Sequence, residues 1–520
     1  MKVRIITITC LFILVTNLSG CVEKTVDQDK SAGITGITVF PLSIALVLGG
    51  TPNTQQLTAE PLPEGVTGVK FEWLSENKAV ASVSQTGLVT AEGVGSGNIV
   101  VTTKDYFRRI PVTVVKSSGE GALPSGVKGN GVHDDTEGLQ ALLDSKVSTV
   151  YLPRPEKFYL VSKTLRIHSG QTLIADRDAV IRLADRAGAH LLTNSDHNGG
   201  NNQITVIGGI WDGNNLTQMT AYHENNNNKN LPYDPDRYLG VVMMFDNVKN
   251  LHVTGVTYKD PRTFAFLAGR LTQFTIENIT FDFNMRSANQ DGIHLCGNSH
   301  YGKIANLKGA CNDDMIGLTA DEVPLYTVSR GPITDVHIDG IWAENSYRAV
   351  RLLSCGSPVK RIKISNIYGT FRNEAIILSN HNVRPGEVIS TFEDISISGI
   401  FCTNSSPNTR VPHIRIHTPA QVTNLTISDY HRTETASATD NILVEKGAKI
   451  DHLSVSNASL FNQCNGNITF VNNQGTTGAL QLTNIFMQSK DPTGQVELLS
   501  NTGDIKLLGK TNISVNGQSE

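Results

Sequence analysis

The sequence predicts an all-β protein in which a parallel β-helix follows a smaller antiparallel β-sandwich. Two observations support this prediction. Residues 36–116 alternate apolar and polar positions in short runs separated by turn residues. The rest of the chain repeats a short β-run that ends in Gly, Asn or Asp. Helical periodicity is scarce outside one short segment near residue 136.

The repeats decide the fold of residues 117–520. Ten tripeptides end in Gly, Asn or Asp, and they begin at residues 206, 253, 276, 304, 338, 364, 397, 427, 455 and 482. After a first gap of 47, taken as two turns, the spacing runs from 23 to 34 residues. The third residue of each tripeptide tolerates left-handed backbone geometry, so each repeat bends at the same place. Such a unit cannot bury its apolar face alone and must stack on the next one.

Residues 36–116 predict the β-sandwich. The segment "VKFEW" places Val69, Phe71 and Trp73 on one face of a strand. The stretch "VASVSQTGLVTAEGVGSG" resembles bacterial Ig-like (group 2) domains. That resemblance implies a spacer or adhesion module, and no residues in this part of the chain suggest chemistry.

One amphipathic helix is predicted by "KGNGVHDDTEGLQALLDS". Asp134, Asp135 and Thr136 are N-cap candidates, and leucines follow them at helical spacing. The stretch also resembles the N-terminal cap of pectate-lyase-type right-handed β-helices, in which a helix covers the first open turn. The resemblance implies a right-handed coil.

The first 35 residues predict export and anchoring. "MKVRIITITCLFILVTNLSGC" has basic residues, then an apolar run of about a dozen residues, then small residues before Cys21. "LSGC" resembles the lipobox of bacterial lipoproteins, in which the chain is cut before the cysteine and lipid is attached to its thiol. This implies a signal peptide over residues 1–20, lipid on Cys21 and a tether over residues 21–35. We therefore expect the protein in the bacterial cell envelope, with a membrane as its partner through the lipid anchor.

Composition excludes nucleic acid as a partner. The chain has 44 basic and 48 acidic residues, a net charge of −4, and no basic stripe interleaved with aromatics.

Five cysteines follow Cys21, namely Cys296, Cys311, Cys355, Cys402 and Cys464. Their spacings match no zinc site, so we expect mostly buried apolar residues, with one disulfide possible. We also expect a monomer.

Two acidic clusters, Asp291 and Asp313 with Asp314, are expected to meet in the coil. Aligning "DGIHL", "DMIGL", "RAVRLL" and "EAIIL" predicts an inward ladder of Ile293, Ile316, Val350 and Ile376. A second ladder then holds Asp291, Asp314, Arg348 and Glu374, and a third holds His294, Gly317, Arg351 and Ile377. Because stacked strands lie about 4.8 Å apart, these side chains should share one exposed β-face.

Three acids, a histidine and two arginines on one face suit glycosidic chemistry. Neighbouring carboxylates repel, which raises the pKa of one of them, whereas Arg348 beside Asp314 acts in the opposite direction. One acid can protonate the leaving oxygen while the others activate water. A structural interpretation stays open at this point, because Asp is a common turn former and Arg348 can serve only to neutralise the acids.

Four motifs resemble the layout of family 28 glycoside hydrolases, the polygalacturonase group. They are "GGIWDGNN", "NQDGIH", "NDDMIGL" and "RAVRLL", in this order between residues 208 and 353. The resemblance implies an inverting hydrolysis in which Asp291 and Asp314 activate water and Asp313 is the general acid. Asn289 would hold the first base in place. It also implies a polysaccharide substrate, and neither a metal nor another cofactor is expected.

The chain departs from the family pattern at three places. The Gly-His-Gly motif is absent after the Asp pair, where "DEVPLYTVSRGP" predicts a loop over the groove. The family's Arg-Ile-Lys becomes "RLL" from Arg351 onward, without the lysine that grips a uronate carboxylate, and His294 replaces a usual aspartate. We expect Asn289, His294, Arg348 and Arg351 to contact a polysaccharide that is pectin-related or has another linkage.

Two further functions stay open at this stage. A polysaccharide lyase or epimerase on the same fold would need a uronate substrate, and often calcium held by acids such as Asp291, Asp313 and Asp314. A non-catalytic adhesin would grip a glycan without cutting it. Aromatic platforms for sugar rings are predicted among Trp211, Tyr326, Trp342 and Tyr347.

Overall fold

The computed structural model describes residues 34–519 except 35, 42–43, 51, 63–65, 104–105, 117–124, 146, 220–233, 235–236, 323–327, 381–388 and 491–494. The predicted signal peptide, the predicted lipid site Cys21 and almost all of the predicted tether lie outside the described residues, as does Tyr326. Within the described ranges, no helix is long and apolar enough to cross a bilayer.

A β-sandwich forms the N-terminal part of the structure, as predicted, but it is not wholly antiparallel, because Ile44–Leu48 pairs in parallel with Phe107–Lys116. Its strands form sheets of two, four and three members, and Trp73 lies in the core between them with Phe71 packed against it. The strands are Gly36–Phe40, Ile44–Leu48, Thr54–Gln56, Thr58–Leu62, Glu72–Ser75, Ala81–Val83, Leu88–Ala91, Gly95–Thr102 and Phe107–Lys116.

A right-handed parallel β-helix follows, which confirms the predicted fold class. Its longer sheet has 18 strands, and these pair in parallel except for the last one. They are Thr149–Leu152, Tyr159–Val161, Thr172–Ala175, Val180–Leu183, Asn201–Ile207, Ile210–Asp212, Val248–Thr254, Thr257–Lys259, Thr272–Asp282, Ser299–Gly309, Ile333–Ser346, Val359–Phe371, Ser390–Asn404, Ala420–Glu434, Lys449–Asn462, Thr476–Ser489, Asp504–Val515 and Gln518–Ser519.

The second sheet of the coil has 12 strands and carries the residues singled out for chemistry. Its strands are Leu165–Ile167, Leu192–Asn194, Met243–Asp246, Phe266–Gly269, Ile293–Cys296, Asp314–Ala320, Arg348–Ser354, Ile376–Ser379, Ile414–Ile416, Ile442–Val444, Ile468–Asn473 and Val496–Asn501. Apolar side chains from both sheets fill the interior, with rings such as Phe245 and Phe266 stacked at 5.7 Å between centroids. Each rung therefore buries its apolar face against the rungs above and below it.

The predicted bends occur at the predicted residues. In all ten tripeptides the third residue has a positive φ, from 52° to 78°. The asparagines among them stack along the coil, since the Asn306 amide donates to Asn278 over 3.1 Å and the Asn484 amide donates to Asn457 over 3.0 Å. The side chains thus satisfy one another while the backbone turns, which explains why Asn recurs where Gly would also fit.

The helix Thr136–Asp144 covers the first turn of the coil, as predicted. Asp134 accepts a hydrogen bond from the amide of Thr136, the first residue of the helix, over 3.1 Å. Asp135 occupies the N-cap position, but its carboxylate accepts from the Lys128 and Gly129 amides instead. Both aspartates are therefore accounted for by local structure.

The sandwich packs against the outer face of the longer sheet. Ala45 and Val47 of the sandwich form an apolar cluster with Ile174 and Ile207 of the coil.

All five cysteines of the described part of the chain are free thiols, and four of them are buried. The disulfide left open by the sequence is therefore not formed. The thiols act as small apolar residues, as predicted.

Candidate active site

The register of the second sheet brings the two acidic clusters together. Ile293 pairs with Ile316, Ile316 with Val350, and Val350 with Ile376, which confirms the predicted inward ladder. Backbone hydrogen bonds join the rungs at the acids themselves: the Gly292 amide donates to the Asp314 carbonyl over 2.8 Å, and the Asp313 amide donates to the Gln290 carbonyl over 3.3 Å. Asp291, Asp313 and Asp314 therefore form one group, which we call the acid cluster.

Asp291 is buried and is held by His294. The Asp291 Oδ2 atom lies 2.9 Å from His294 Nδ1. Burial raises the pKa of Asp291 to about 6, the hydrogen bond from His294 acts against this rise, and the charge of Asp314 adds to it. Burial alone would lower the pKa of His294, but hydrogen bonds with Asp291, Cys296 and Glu322 raise it well above its usual value. The imidazole is therefore a cation that fixes the position of the Asp291 carboxylate.

Asp313 is the partly exposed member of the acid cluster. Within the described part of the chain its carboxyl has no hydrogen-bond or ion-pair partner. Burial and the neighbouring charges of Asp291 and Asp314 together raise its pKa to about 8, despite the opposing charges of Arg348 and Arg351. At neutral pH this carboxyl therefore carries a proton that it can donate.

Asp314 is a carboxylate clamped by two guanidinium groups. Arg348 Nη1 contacts its Oδ1 atom, and Arg351 Nη1 lies 3.4 Å from its Oδ2 atom. Arg348 also reaches Glu374 over 2.8 Å, so one buried guanidinium joins two buried carboxylates on neighbouring rungs. Asp314 and Arg348 pair directly in the strand register, as the sequence alignment of the rungs predicted.

The part of this face that carries His294 and Arg351 is covered, which corrects the expectation of an exposed β-face, whereas Asp313 stays partly exposed. Phe264 stacks on the His294 ring with centroids 4.3 Å apart. On the other side Glu322, which follows the strand Asp314–Ala320, contacts His294 Nε2 over 3.1 Å and Arg351 Nη2 over 3.2 Å. Glu322 is the second residue of the segment predicted to lie over the groove, and it enters the site because the two cations attract it; residues 323–327 of that segment lie outside the described residues.

The other predicted contacts fall in different places. Asn289 is exposed with a positive φ and makes no side-chain hydrogen bond in the described structure, so it does not hold Asp291 in place as expected.

The predicted aromatic platforms differ in where they lie. Trp211 is fully buried and its indole N–H donates to the Gly208 carbonyl, which rules it out as a sugar platform. Trp342 is exposed but lies on the longer sheet, stacked on Tyr368. Tyr347 lies beside the acid cluster, with the Arg348 guanidinium 5.1 Å from its ring centroid.

Sequence reasoning missed Glu322 and Phe264. Both come from chain segments outside the aligned rungs, where spacing carries no information on proximity. The signal for Glu322 was weak: an acid two residues beyond the strand that carries Asp314. Among the described residues, no group of three or more His, Cys, Asp or Glu side chains is arranged to hold a metal ion.

Fold and site together define a right-handed parallel β-helix with a cluster of three aspartates on adjacent rungs. Residues 198–329 match the sequence model of the glycosyl hydrolases family 28, a segment that contains the whole acid cluster and Glu322. Residues 34–114 match the bacterial Ig-like domain (group 2). No curated protein matches the chain.

Solved structures with the same fold carry different activities. A family 28 exopolygalacturonase of Yersinia enterocolitica is 12% identical, with a TM-score of 0.50 over 90% of this chain and 97% of that one. PfbA, a surface adhesin of Streptococcus pneumoniae, is 16% identical, with a TM-score of 0.50 over 73% of this chain and 93% of that one. The A-module of a mannuronan C-5 epimerase of Azotobacter vinelandii is 14% identical, with a TM-score of 0.48 over 74% and 97%. Likeness at this level describes the fold, and the function has to be argued from the site.

Proposed function

We propose that the protein is a glycoside hydrolase that cleaves a polysaccharide with inversion of configuration. The observation that carries the proposal is the state of Asp313: an unpaired, partly exposed carboxyl with a pKa raised to about 8, adjacent to two buried carboxylates. A general acid needs a proton at neutral pH and access to the leaving oxygen, and Asp313 has both. The family 28 match over residues 198–329 supports the same reaction class.

In the proposed mechanism Asp313 protonates the glycosidic oxygen as the bond to the anomeric carbon breaks. Asp291, whose pKa of about 6 leaves it ionised at neutral pH, accepts a proton from the attacking water. Asp314 lies on the next rung and orients that water, while Arg348 and Arg351 hold its carboxylate in place. His294 keeps Asp291 fixed through Nδ1. A single displacement by water places the new hydroxyl on the opposite face of the sugar.

Product analysis tests the proposal directly. The protein is incubated with a panel of pectic and other polysaccharides, and reducing ends, ultraviolet absorbance and the anomeric configuration of the first product are followed. We expect new reducing ends of inverted configuration without ultraviolet absorbance. Unsaturated products that absorb in the ultraviolet would instead identify a lyase, and a changed sugar configuration without cleavage an epimerase. Binding of a glycan without any product would identify an adhesin.

We also propose that the mature protein is attached to a membrane through lipid on Cys21. The support is the sequence "LSGC" after an apolar run that follows Lys2 and Arg4. Expressed in a bacterial host, the wild-type chain should fractionate with membranes, and Cys21→Ser should move to the soluble fraction. Retention of Cys21→Ser in the membrane fraction at the wild-type level would contradict the anchor.

A further inference from the structure

His294 and Arg351 form a positively charged site beside the acid cluster, which we call the corner, and the carboxylate of Glu322 fills it. His294 and Arg351 occupy the same column of the second sheet, two rungs apart, with Gly317 between them. A Cβ atom placed on Gly317 would meet nothing closer than 3.5 Å, so the glycine leaves a gap between the two cations. The carboxylate of Glu322 lies across this gap.

Glu322 engages both cations at once. Its Oε2 atom lies 3.1 Å from His294 Nε2, and its Oε1 atom lies 3.2 Å from Arg351 Nη2. All three side chains are largely buried, at 6%, 2% and 14% exposure for Glu322, His294 and Arg351. Arg351 donates a charge-assisted hydrogen bond to Glu322, and His294 Nε2 faces both the Glu322 carboxylate and the Thr319 hydroxyl, whose oxygen lies 3.0 Å away. The corner is therefore built to hold one carboxylate, and it holds that of Glu322.

The charges around the corner disfavour a second carboxylate. The other terminal nitrogen of Arg351, Nη1, faces Asp314, and His294 Nδ1 faces Asp291. Arg348 is bound to Asp314 and Glu374. Each cation thus already contacts two carboxylates, and another anion would meet like charges at short range in a poorly solvated site.

We infer that the sugar bound beside the acid cluster is neutral at the position that faces His294 and Arg351, and that Glu322 is the residue that excludes uronates from it. This inference rests on the proposed hydrolase function. It gives the substrate class as a polysaccharide with a neutral residue at the cleavage site, whether the rest of the polymer is neutral or acidic.

Ligand-dependent thermal stability tests the inference without requiring turnover. The probes are D-galactose and D-galacturonate, which differ only in a hydroxymethyl or a carboxylate group at C6. For the wild-type protein we expect galacturonate to raise Tm no more than galactose does. For Glu322→Gln, which frees the two cations, galacturonate at about ten times its Kd should raise Tm by about 1–2 °C more than galactose does.

The control variant is Glu445→Gln. Glu445 directly follows the strand Ile442–Val444 and pairs with Arg415, so its replacement changes the net charge equally without opening the corner. It should show the wild-type pattern. A larger galacturonate shift in the wild-type protein, or no galacturonate excess in Glu322→Gln, would overturn the inference. If Glu322→Gln does not fold, the wild-type comparison of the two sugars decides alone.

The two proposals fail in different ways. If no polysaccharide of the panel is hydrolysed while the Tm pattern holds, the hydrolase proposal falls and the assignment of Glu322 stands. If a polymer is hydrolysed with a uronate at the cleaved position, the hydrolase proposal stands and the assignment of Glu322 falls.

Discussion

Asp313→Asn is expected to lower kcat/KM by about 10²–10⁴-fold while the protein stays folded. The amide has the same shape as the protonated carboxyl but cannot give its proton to the leaving oxygen. Asp282→Asn serves as the control, because this aspartate is 60% exposed and pairs with Lys259 on the other sheet; its activity should equal that of the wild type. Reducing-end assays on the best substrate of the panel measure both. Wild-type turnover by Asp313→Asn would remove Asp313 from the mechanism.

Asp313 and Asp291 together determine the expected pH dependence of kcat/KM. Asp291, with a pKa raised to about 6 by burial, must be ionised to accept a proton, and Asp313, with a pKa raised to about 8, must be protonated to donate one. The kcat/KM profile should therefore be bell-shaped, with limbs near these two values that belong to the coupled acid cluster as a whole. A rate that stays level well above pH 8 would contradict Asp313 as the acid.

Asp313→Asn should raise stability at high pH although it lowers activity. The pKa of Asp313 is raised in the folded state from its ordinary value of 3.8 to about 8, so the folded protein binds this proton more tightly than the unfolded chain does. The associated stability is fully present below about pH 4 and is lost as the pH rises through about 8. At about pH 9 the Asp313→Asn variant should therefore unfold at a higher denaturant concentration than the wild type, with a free energy of unfolding larger by several kcal/mol, since each pKa unit corresponds to about 1.4 kcal/mol. At about pH 4 the two should be nearly equal.

The coil and its register could be predicted from sequence because each follows from a local rule. A residue such as Asn306 bends the chain wherever it recurs at the repeat spacing, and Ile293, Ile316 and Val350 must all face the interior. Once the apolar ladder is aligned, the positions of Asp314 and Arg348 on neighbouring rungs follow without further information, because side chains in a strand alternate with a period of two.

The environment of the acids could not be predicted in the same way. Glu322 and Phe264 reach the site from segments whose paths are not set by the repeat, and together they cover His294 on a face that the sequence predicted to be exposed. Burial then decides the chemistry, because the raised pKa values of Asp291 and Asp313 arise first from desolvation. For Asn289 the sequence predicted a contact that the structure lacks. Its place in the motif suggested a contact with Asp291, but the residue has a left-handed backbone and an exposed side chain that does not make this contact.

Arg348→Met is expected to lower the free energy of unfolding by about 3–5 kcal/mol. The substitution keeps much of the side-chain volume but leaves Asp314 and Glu374, each about 1% exposed, as buried carboxylates without this partner. The control is Arg361→Met, which removes an exposed arginine paired with Asp335 in the other sheet. Surface pairs of that kind contribute about 0–1 kcal/mol, so the control should change stability little. Denaturant unfolding near neutral pH measures both variants.

A double variant separates the ion pair from lost packing. Burial would raise the pKa of Glu374, but the charge and hydrogen bond of Arg348, with help from Arg415, hold it below its usual value. If the cost of Arg348→Met comes from the stranded carboxylates, adding Glu374→Gln should recover part of it, since one of the two buried charges is then gone. The cost should also shrink as the pH falls and the stranded carboxyl groups take up protons. Additive losses in the double variant, or a cost that does not change with pH, would assign the effect of Arg348 to packing and leave the acid cluster without its electrostatic support.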